Sequence, residues 1–251
     1  MELLYRFCWA ADDIADNQDP LALKKKKLAL FKKNLNLALQ GKAADPFFSS
    51  FQTVIEKFRL SEEPLHRIVA GVERDLKPIR FKRFEELHRY ALQVAGGPGL
   101  ASMEIFGYRD KAHRQYAENL GVFLQIVNMV RDYREDLSLG RNYFPQEDYK
   151  RFHLNPHSLD EKNSNWRSFA TFQLDRAWVF LDRAWASLSK RQRSELYTAE
   201  AIAAIYVRLH QKLSSHPDQV LQNKVSLGKT DKLLSVLSAA GRCFFWRGER
   251  A

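Results

Sequence analysis

The sequence predicts an all-α fold, and three features support this class. Apolar residues recur at intervals of three and four along most of the chain, which is the period of a helix with one buried face. Strict alternation of apolar and polar residues, the sign of a half-buried strand, is hard to find. Only 11 Gly and 8 Pro interrupt the 251 residues. With 45% hydrophobic residues, the chain is long enough to bury one large core or two modest ones.

The order of the helices follows from the breaks between them. Gly41, Pro78 and Gly107 interrupt the apolar periodicity, as do segments 17–20 and 45–46, and a longer break covers 139–165. The predicted helices therefore cover 1–17, 20–40, 45–59, 62–78, 83–107, 110–138, 166–189, 190–213 and 229–246. No segment has the composition of an interdomain linker, and no internal repeat is found. One domain over 1–251 is expected.

The charge balance favours anionic partners. Lys and Arg number 40 against 30 Asp and Glu, a net charge of +10. Such a surplus suits nucleic acid, anionic lipid or a phosphorylated substrate without choosing among them. No recognition helix or base-stacking module is recognisable, so no nucleic-acid partner is expected. No apolar run reaches the roughly 18 residues of a spanning helix, and Cys8 and Cys243 suit a reducing compartment. We expect a cytoplasmic protein, and the sequence predicts no particular oligomeric state.

The segment 233–246 allows two interpretations. Its sequence, LLSVLSAAGRCFFW, carries one charge and is flanked by Lys232 and Arg247. It is typical of a last core helix. It is also typical of a helix in a membrane interface, with basic ends on headgroups and aromatic side chains at the acyl boundary. Peripheral contact with the inner face of a membrane through this segment is therefore an open alternative.

A first acidic stripe ends an otherwise apolar helix. Positions four apart on a helix lie about 40° apart around its axis, so Asp12 and Asp16 share a face. Tyr5 and Trp9 fall on the same stripe. Carboxylates at the end of a largely buried helix cost several kcal/mol unless cations or donors compensate. The pattern therefore predicts a site for a positive partner.

A second polar stripe lies in the segment 120–136. Gln125, Asn128, Asp132 and Asp136 step by three, four and four residues, so two amides and two carboxylates line one face of an apolar helix. Paired carboxylates suit Mg²⁺, which takes oxygen ligands and is often held by carboxylates together with substrate phosphates. Arg131, Arg134 and Arg141 could cradle the outer phosphate oxygens. Capping or surface ion pairing is the alternative for either pair alone.

The residues resemble the squalene/phytoene synthase family over most of the chain. YRFCWAADDIAD at 5–16 is similar to its first aspartate-rich motif, and LGVFLQIVNMVRDYREDLSLGRNYFP at 120–145 is similar to its second. The central segments GVERDL at 71–76, FEEL at 84–87 and YALQVAG at 90–96 follow in order and spacing. Near the end, AIY at 204–206 and KVSL at 224–227 resemble its C-terminal region.

The resemblance implies a single-domain all-α isoprenoid synthase fold with helices around a central cavity, lacking the family's N-terminal helix. It implies a Mg²⁺-dependent prenyltransferase, with Mn²⁺ as a substitute metal, that joins two farnesyl or geranylgeranyl diphosphates head to head. The product would be of presqualene/squalene or phytoene type. A hydroxysqualene-forming synthase acting on presqualene diphosphate and a non-catalytic assembly protein are the alternatives. The chain is short for the reductive members, so NADPH is not expected.

The resemblance also implies a role for each matching residue. Asp12, Asp16, Asp132 and Asp136 would bind the Mg²⁺–diphosphate clusters, with Asp12 and Asp132 counted as catalytic. Asn128 and Gln125 would support the second cluster, Asn128 as a metal ligand, while Arg131 and Arg141 would contact diphosphate. Tyr5 and Tyr90 would lie beside the reacting carbons, and Val94 and Gly99 would shape the prenyl channel. Two positions depart from the family pattern: Trp9 stands where Arg is usual, and Gly97-Pro98 where Val is usual.

Overall fold

The computed structural model describes residues 1–156 and 164–248. Residues 157–163, inside the predicted break 139–165, and residues 249–251 lie outside the described residues. The described residues are helical and form no β-strand. One isolated β-bridge among them pairs Arg80 with Asn142. None of its helices combines the length and apolar character that crossing a membrane requires.

The described helices keep the predicted order, but several are divided. Their bounds are α1 Glu2–Asp16, α2 Leu21–Leu39, α3 Pro46–Phe58, α4 Glu62–Asp75, α5 Phe84–Ala91, a π segment Leu92–Gly96, α6 Gly97–Ile105, α7 Lys111–Arg131, α8 Tyr133–Ser138, α9 Gln146–Arg151, α10 Ser164–Ser187, α11 Lys190–Glu195, α12 Tyr197–Ser215, α13 Gln219–Gln222 and α14 Lys229–Gly248. The predicted single helices 83–107, 110–138 and 190–213 are each interrupted. The short helices α9 and α13 were not predicted.

The chain divides into two compact units, and the first contains residues 1–79 and 88–118. Its core is aromatic: the rings of Phe7 and Phe51 stack with centroids 4.5 Å apart, and Phe31 and Phe48 pack around them. The entry into α3 follows from the sequence. Asp45 accepts a hydrogen bond from the backbone N–H of Phe48 at 3.0 Å, and Pro46 takes the first helical position.

The π segment widens the first unit's helix just before Pro98. The N–H of Gly97 donates to the carbonyl of Leu92, five residues back. Proline has no N–H and its ring clashes with the carbonyl four residues earlier, so a regular α turn is disfavoured here. The bulge packs closely on α4, because a Cβ on Gly71 would lie only 2.6 Å from Val94 Cγ1. The departure at Gly97-Pro98 therefore coincides with the interruption of the predicted helix 83–107.

The second unit contains residues 80–87 and the described part of 119–251. One part of its core is the ring cluster of Tyr133, Phe144, Trp166 and Phe169. The buried indole N–H of Trp166 donates to the carbonyl of Pro217 at 3.0 Å, which ties α10 to the turn before α13. The prediction that 1–251 forms one synthase-like domain stays a prediction.

Candidate functional site

The exposed face of α1 carries the first acidic stripe. Leu4, Phe7, Ala11, Ile14 and Ala15 make the buried face of this helix. Tyr5, Trp9, Asp12 and Asp16 all lie on the accessible side, as their spacing predicts. Tyr5 is 71% exposed and Trp9 60% exposed. The stripe therefore presents two aromatic rings and two carboxylates on one surface.

Electrostatics at the end of α1 are unfavourable to negative charge. Partial burial of the Asp12 carboxylate raises its pKa to about 6, although the residue keeps an accessible surface. The charge of Asp16 adds to this shift. Burial and the neighbouring Asp12 also raise the pKa of the Cys8 thiol to about 12. Both effects on Asp12 act in the same direction, so a bound cation would relieve them.

The second polar stripe follows one edge of α7. Between residues 120 and 133 every side chain is buried except five, which are less than fully covered. These five are Leu124, Gln125, Asn128, Arg131 and Asp132. Their spacing of three and four places them on one face. The helix is thus apolar all round except along the predicted polar edge.

The helix changes geometry at Asp132 but keeps its hydrogen bonds. Asp132 has φ −97° and ψ 10°, and it separates α7 from α8. The N–H of Asp132 still donates to the carbonyl of Asn128 at 2.8 Å, and the N–H of Asp136 donates to the carbonyl of Asp132 at 2.9 Å. Asp136 therefore remains one turn beyond Asp132, although the predicted helix 110–138 is not continuous.

Basic side chains surround these carboxylates. Arg131 Nε donates to Asp132 Oδ1 at 2.9 Å, and its Nη2 contacts the other carboxylate oxygen. Lys224 Nζ lies 3.5 Å from Asp132 Oδ1 and donates to Glu135 Oε2 at 2.8 Å. Burial and the charge of Asp132 nevertheless raise the pKa of Asp136 to about 7. An additional cation nearby would therefore lower the pKa of Asp136 and favour its charged form.

A turn at Gly140 ends α8 and places Arg141 next to it. Gly140 has φ +73°, a backbone conformation that favours glycine. Its N–H donates to the carbonyl of Leu137 at 3.0 Å, and the N–H of Arg141 donates to the carbonyl of Asp136 at 2.8 Å. This pair of bonds is the Schellman ending of a helix. The charge of Arg141 lowers the pKa of Asp136, opposing the effect of burial.

Three residues at this site were not predicted as site residues. Besides Lys224 and Glu135, Tyr206 on α12 donates its hydroxyl to Asn128 Oδ1 at 3.0 Å. A surface pocket of about 280 Å³ is lined in part by Arg131, Asp132 and Lys224. The quoted segments AIY and KVSL contain Tyr206 and Lys224, so the signal was present in the family resemblance. Spacing along one helix could not reveal contacts between positions 78 and 89 residues apart.

The remaining predicted residues of the first unit have visible packing roles. Tyr90 is buried and donates its hydroxyl to Asp75 Oδ1 at 2.7 Å. Val94 lies against Gly71, and a Cβ on Gly99 would lie 3.3 Å from the carbonyl of Ala117. These contacts fix the π segment and α6. The catalytic role of Tyr90 and the channel role of Val94 and Gly99 stay predictions.

The carboxylate pairs fit Mg²⁺ that is bound together with substrate phosphates. Within residues 1–156 and 164–248, no three His, Cys, Asp or Glu side chains cluster as a ready-made metal cage. Mg²⁺ usually keeps several waters and binds through one or two carboxylates plus substrate phosphates. The pairs Asp12/Asp16 and Asp132/Asp136 each offer such a set. The raised pKa values of Asp12 and Asp136 agree with sites that gain from a cation.

A family model described as squalene/phytoene synthase matches residues 1–231. The chain therefore belongs to the squalene/phytoene synthase family. The chloroplastic phytoene synthase of Daucus carota is 26% identical over 250 residues, covering 96% of this chain and 63% of that protein. Phytoene synthase 1 of Zea mays is 24% identical and covers 95% and 60%. The chain therefore spans about three fifths of the length of these relatives.

Solved structures confirm the isoprenoid synthase fold predicted from the resemblance. The squalene synthase HpnC from Alicyclobacillus acidocaldarius superposes with a TM-score of 0.68 at 22% identity, covering 98% of this chain and 81% of that one. A dehydrosqualene synthase solved with a ligand gives a TM-score of 0.77 at 20% identity, covering 95% and 84%. At these identities the likeness establishes the fold.

Proposed function

We propose that the chain is a Mg²⁺-dependent prenyltransferase that joins two prenyl diphosphates head to head. The observation that carries this proposal is the polar edge of α7 and α8. There Asp132 and Asp136 lie one turn apart, with Arg131, Lys224 and Arg141 close to them. Carboxylates for a divalent cation next to basic donors for phosphate oxygens are what a diphosphate requires.

Each group has a chemical task in this proposal. Asp12 and Asp16, and separately Asp132, Asp136 and Asn128, would hold Mg²⁺. When bound, Mg²⁺ neutralises the charge of a diphosphate and eases its departure as a leaving group. Arg131, Arg141 and Lys224 would donate to the phosphate oxygens. Tyr206 orients Asn128 through the hydrogen bond at 3.0 Å, and Gln125 extends the polar edge by one turn.

The bond changes balance without a reductant. One allylic diphosphate loses its diphosphate, and its first carbon bonds to the 2,3 double bond of the second molecule with loss of a proton. The products are a cyclopropylcarbinyl diphosphate, free diphosphate and H⁺. Tyr5 and Tyr90 are proposed beside the reacting carbons, since an aromatic face stabilises positive charge. A second ionisation releases the remaining diphosphate. Loss of a proton then gives a phytoene-type hydrocarbon, whereas capture by water, which also releases a proton, gives hydroxysqualene.

The test is an assay with radiolabelled farnesyl and geranylgeranyl diphosphates, with Mg²⁺, with Mn²⁺ and with EDTA. Hexane extracts, with and without phosphatase treatment, separate hydrocarbon from diphosphate products. We expect a product that depends on the metal and disappears in Asp132→Ala. Asp182→Asn, which changes an exposed carboxylate on α10, is the matched control and should keep full activity. Equal turnover with EDTA, or in Asp132→Ala, would refute the metal-dependent mechanism.

Trp9 favours one second candidate, a non-catalytic family member acting in assembly. This ring is 60% exposed on the acidic face of α1 and stands where the family pattern has Arg. An indole cannot supply the bidentate donors that an arginine gives to phosphate. If neither prenyl diphosphate nor presqualene diphosphate reacts while Mg²⁺ and pyrophosphate still bind, the assembly role is the better explanation. Restored turnover in Trp9→Arg would return the chain to the catalytic class.

A further inference from the structure

The outward face of α14 is apolar, which is unusual for a helix at the surface of a protein. Leu237 is 57% exposed, Phe244 77% and Phe245 73%. Leu233 and Leu234 are also exposed. On a helical projection these five side chains fall within about 120° of one another, so they form one continuous surface. We call these five residues the apolar stripe.

The opposite face of α14 attaches it to its unit through smaller groups. Ser235, Ala239 and Cys243 are the buried residues there, and the helix packs against α11 and α12. Arg247 Nη2 donates to the carbonyl of Ser194 at 3.0 Å. The side of α14 toward its unit is thus less apolar than the side that faces out. Hydrophobic burial inside the unit does not account for the leucines and phenylalanines of the apolar stripe.

Basic side chains border the apolar stripe. Lys229 and Arg247 are separated by five helical turns and lie along one edge, while Arg242 lies at the other. The helix Lys229–Gly248 contains four basic residues and one acidic residue, Asp231. An isologous pairing of two copies through this face would bring basic edges against basic edges. The charge pattern therefore disfavours a second copy and favours an anionic surface.

A groove opens beside the apolar stripe. Its volume is about 530 Å³, and Leu234 of the stripe is part of its lining together with Arg208 and Arg242. At its base the guanidinium of Arg193 lies between the rings of Trp185 and Trp246, 4.8 Å from each ring centroid, and pairs with buried Glu200. Asp231 also lines the groove, and its Oδ1 lies 3.6 Å from Arg208 Nη2, a long pair that leaves the Arg208 side chain 57% exposed. Two accessible arginines next to an apolar edge suit a phosphate headgroup whose acyl chains continue over the stripe.

We propose that α14 is a membrane-docking helix, whose apolar stripe enters the surface of a bilayer rich in anionic phospholipid while Arg208 and Arg242 contact the lipid phosphates. The apolar side chains supply the binding energy, and the basic border selects anionic lipid. The proposal goes beyond the transferase reaction and does not depend on it.

Flotation of the purified full chain with vesicles tests this proposal. Vesicles of neutral phosphatidylcholine are compared with vesicles containing about 30% phosphatidylglycerol, at low and high salt. We expect binding to the anionic vesicles that weakens several-fold in high salt. Leu237→Ser and Phe244→Ser should each lower the partition coefficient roughly tenfold. Leu30→Ser is the matched control, since Leu30 on α2 is also 57% exposed, and it should bind as the parent does.

The charge contribution is tested separately. Arg208→Gln and Arg242→Gln should each weaken anionic vesicle binding roughly fivefold, whereas Arg167→Gln, at an exposed arginine on α10, should have a clearly smaller effect. Equal binding by parent, Leu237→Ser and Phe244→Ser would overturn the proposal. So would light scattering that shows a dimer of the parent and a monomer of Leu237→Ser, because the stripe would then be covered by a second copy.

Discussion

The acidic end of α1 and the acidic edge of α7–α8 contain the same pair of residues, two aspartates one turn apart, in different surroundings. At Asp12, burial and the charge of Asp16 both raise the pKa. At Asp136, burial and Asp132 raise the pKa, while Arg141 and Arg131 lower it. The shift of Asp136 is thus partly offset by arginines of the same chain, whereas both effects on Asp12 act in one direction. Asp12 therefore depends more strongly than Asp136 on a cation from solution.

This difference suggests a division of labour. Arg131 and Lys224 already contact Asp132, so under the proposed function they would let the second site attract a diphosphate before any metal arrives. The face of α1 offers carboxylates and two exposed aromatic rings instead. Under the proposed function, the first site needs Mg²⁺ and diphosphate together, and the second tolerates diphosphate alone.

The largest expected effect comes from removing a carboxylate at either site. Asp12→Asn and Asp136→Asn should each lower turnover on the order of a thousandfold, because each removes a carboxylate proposed to bind the metal. Both variants should fold with the helical content of the parent in circular dichroism. Asp182→Asn serves again as the control. Retained turnover in both variants would remove the metal-site assignment.

The same variants carry a pH signature in stability. Folding raises the pKa of Asp12 to about 6 and of Asp136 to about 7, above the ordinary value of 3.8. Folding thus favours their protonated forms, so these groups contribute stability below pH 4 that is lost as pH rises through 6 to 7. We expect their contribution to stability to fall between about pH 4 and pH 7 in urea unfolding. This component should shrink in Asp12→Asn and Asp136→Asn, and added Mg²⁺ should reduce it in the parent.

A smaller effect should distinguish the two sites by their dependence on metal. Lys224→Met removes a cation near Asp132 and should weaken pyrophosphate binding without Mg²⁺ roughly tenfold, on the scale of one charge-assisted hydrogen bond. Calorimetric titration measures this directly. Lys150→Met changes an exposed lysine on α9 and should leave the affinity unchanged. An unchanged affinity in Lys224→Met would contradict the partial compensation of the second site.

The smallest effect concerns the turn that positions Arg141. Gly140→Ala should destabilise the fold by about 1 kcal/mol, because the left-handed φ of Gly140 suits glycine. Gly241→Ala should have the opposite sign, since Gly241 lies within α14 and an added Cβ would meet nothing within 4 Å. Urea unfolding of the two variants measures both values. Changes of similar size and opposite sign in the free energy of unfolding would show that backbone conformation, rather than a steric clash of the added methyl group, decides the effect at each glycine.

Much of this molecule was predictable from spacing, and the exceptions have physical causes. The polar edge of α7 was found because a period of three and four places Gln125, Asn128 and Asp132 together. The helix α9 was missed because six residues give too few turns for a periodic signal. The partners Lys224 and Tyr206 were missed because contacts between distant positions depend on tertiary packing, which no local pattern records. The family resemblance reached the fold by comparing whole motifs instead.

The π segment has a consequence for how this chain tolerates changes in length. Deleting one residue from a helix ordinarily rotates everything beyond it by about 100° and moves buried side chains outward. Residues 92–96 form a turn with one residue more than an α turn holds. Loss of a single residue there would close the turn to the ordinary width while α5 and α6 keep their angular relation, at the cost of bringing the ring of Pro98 against the carbonyl four residues earlier. Within this helical stretch, the bulge is the place where the chain can be shortened by one residue without exchanging its buried and exposed faces.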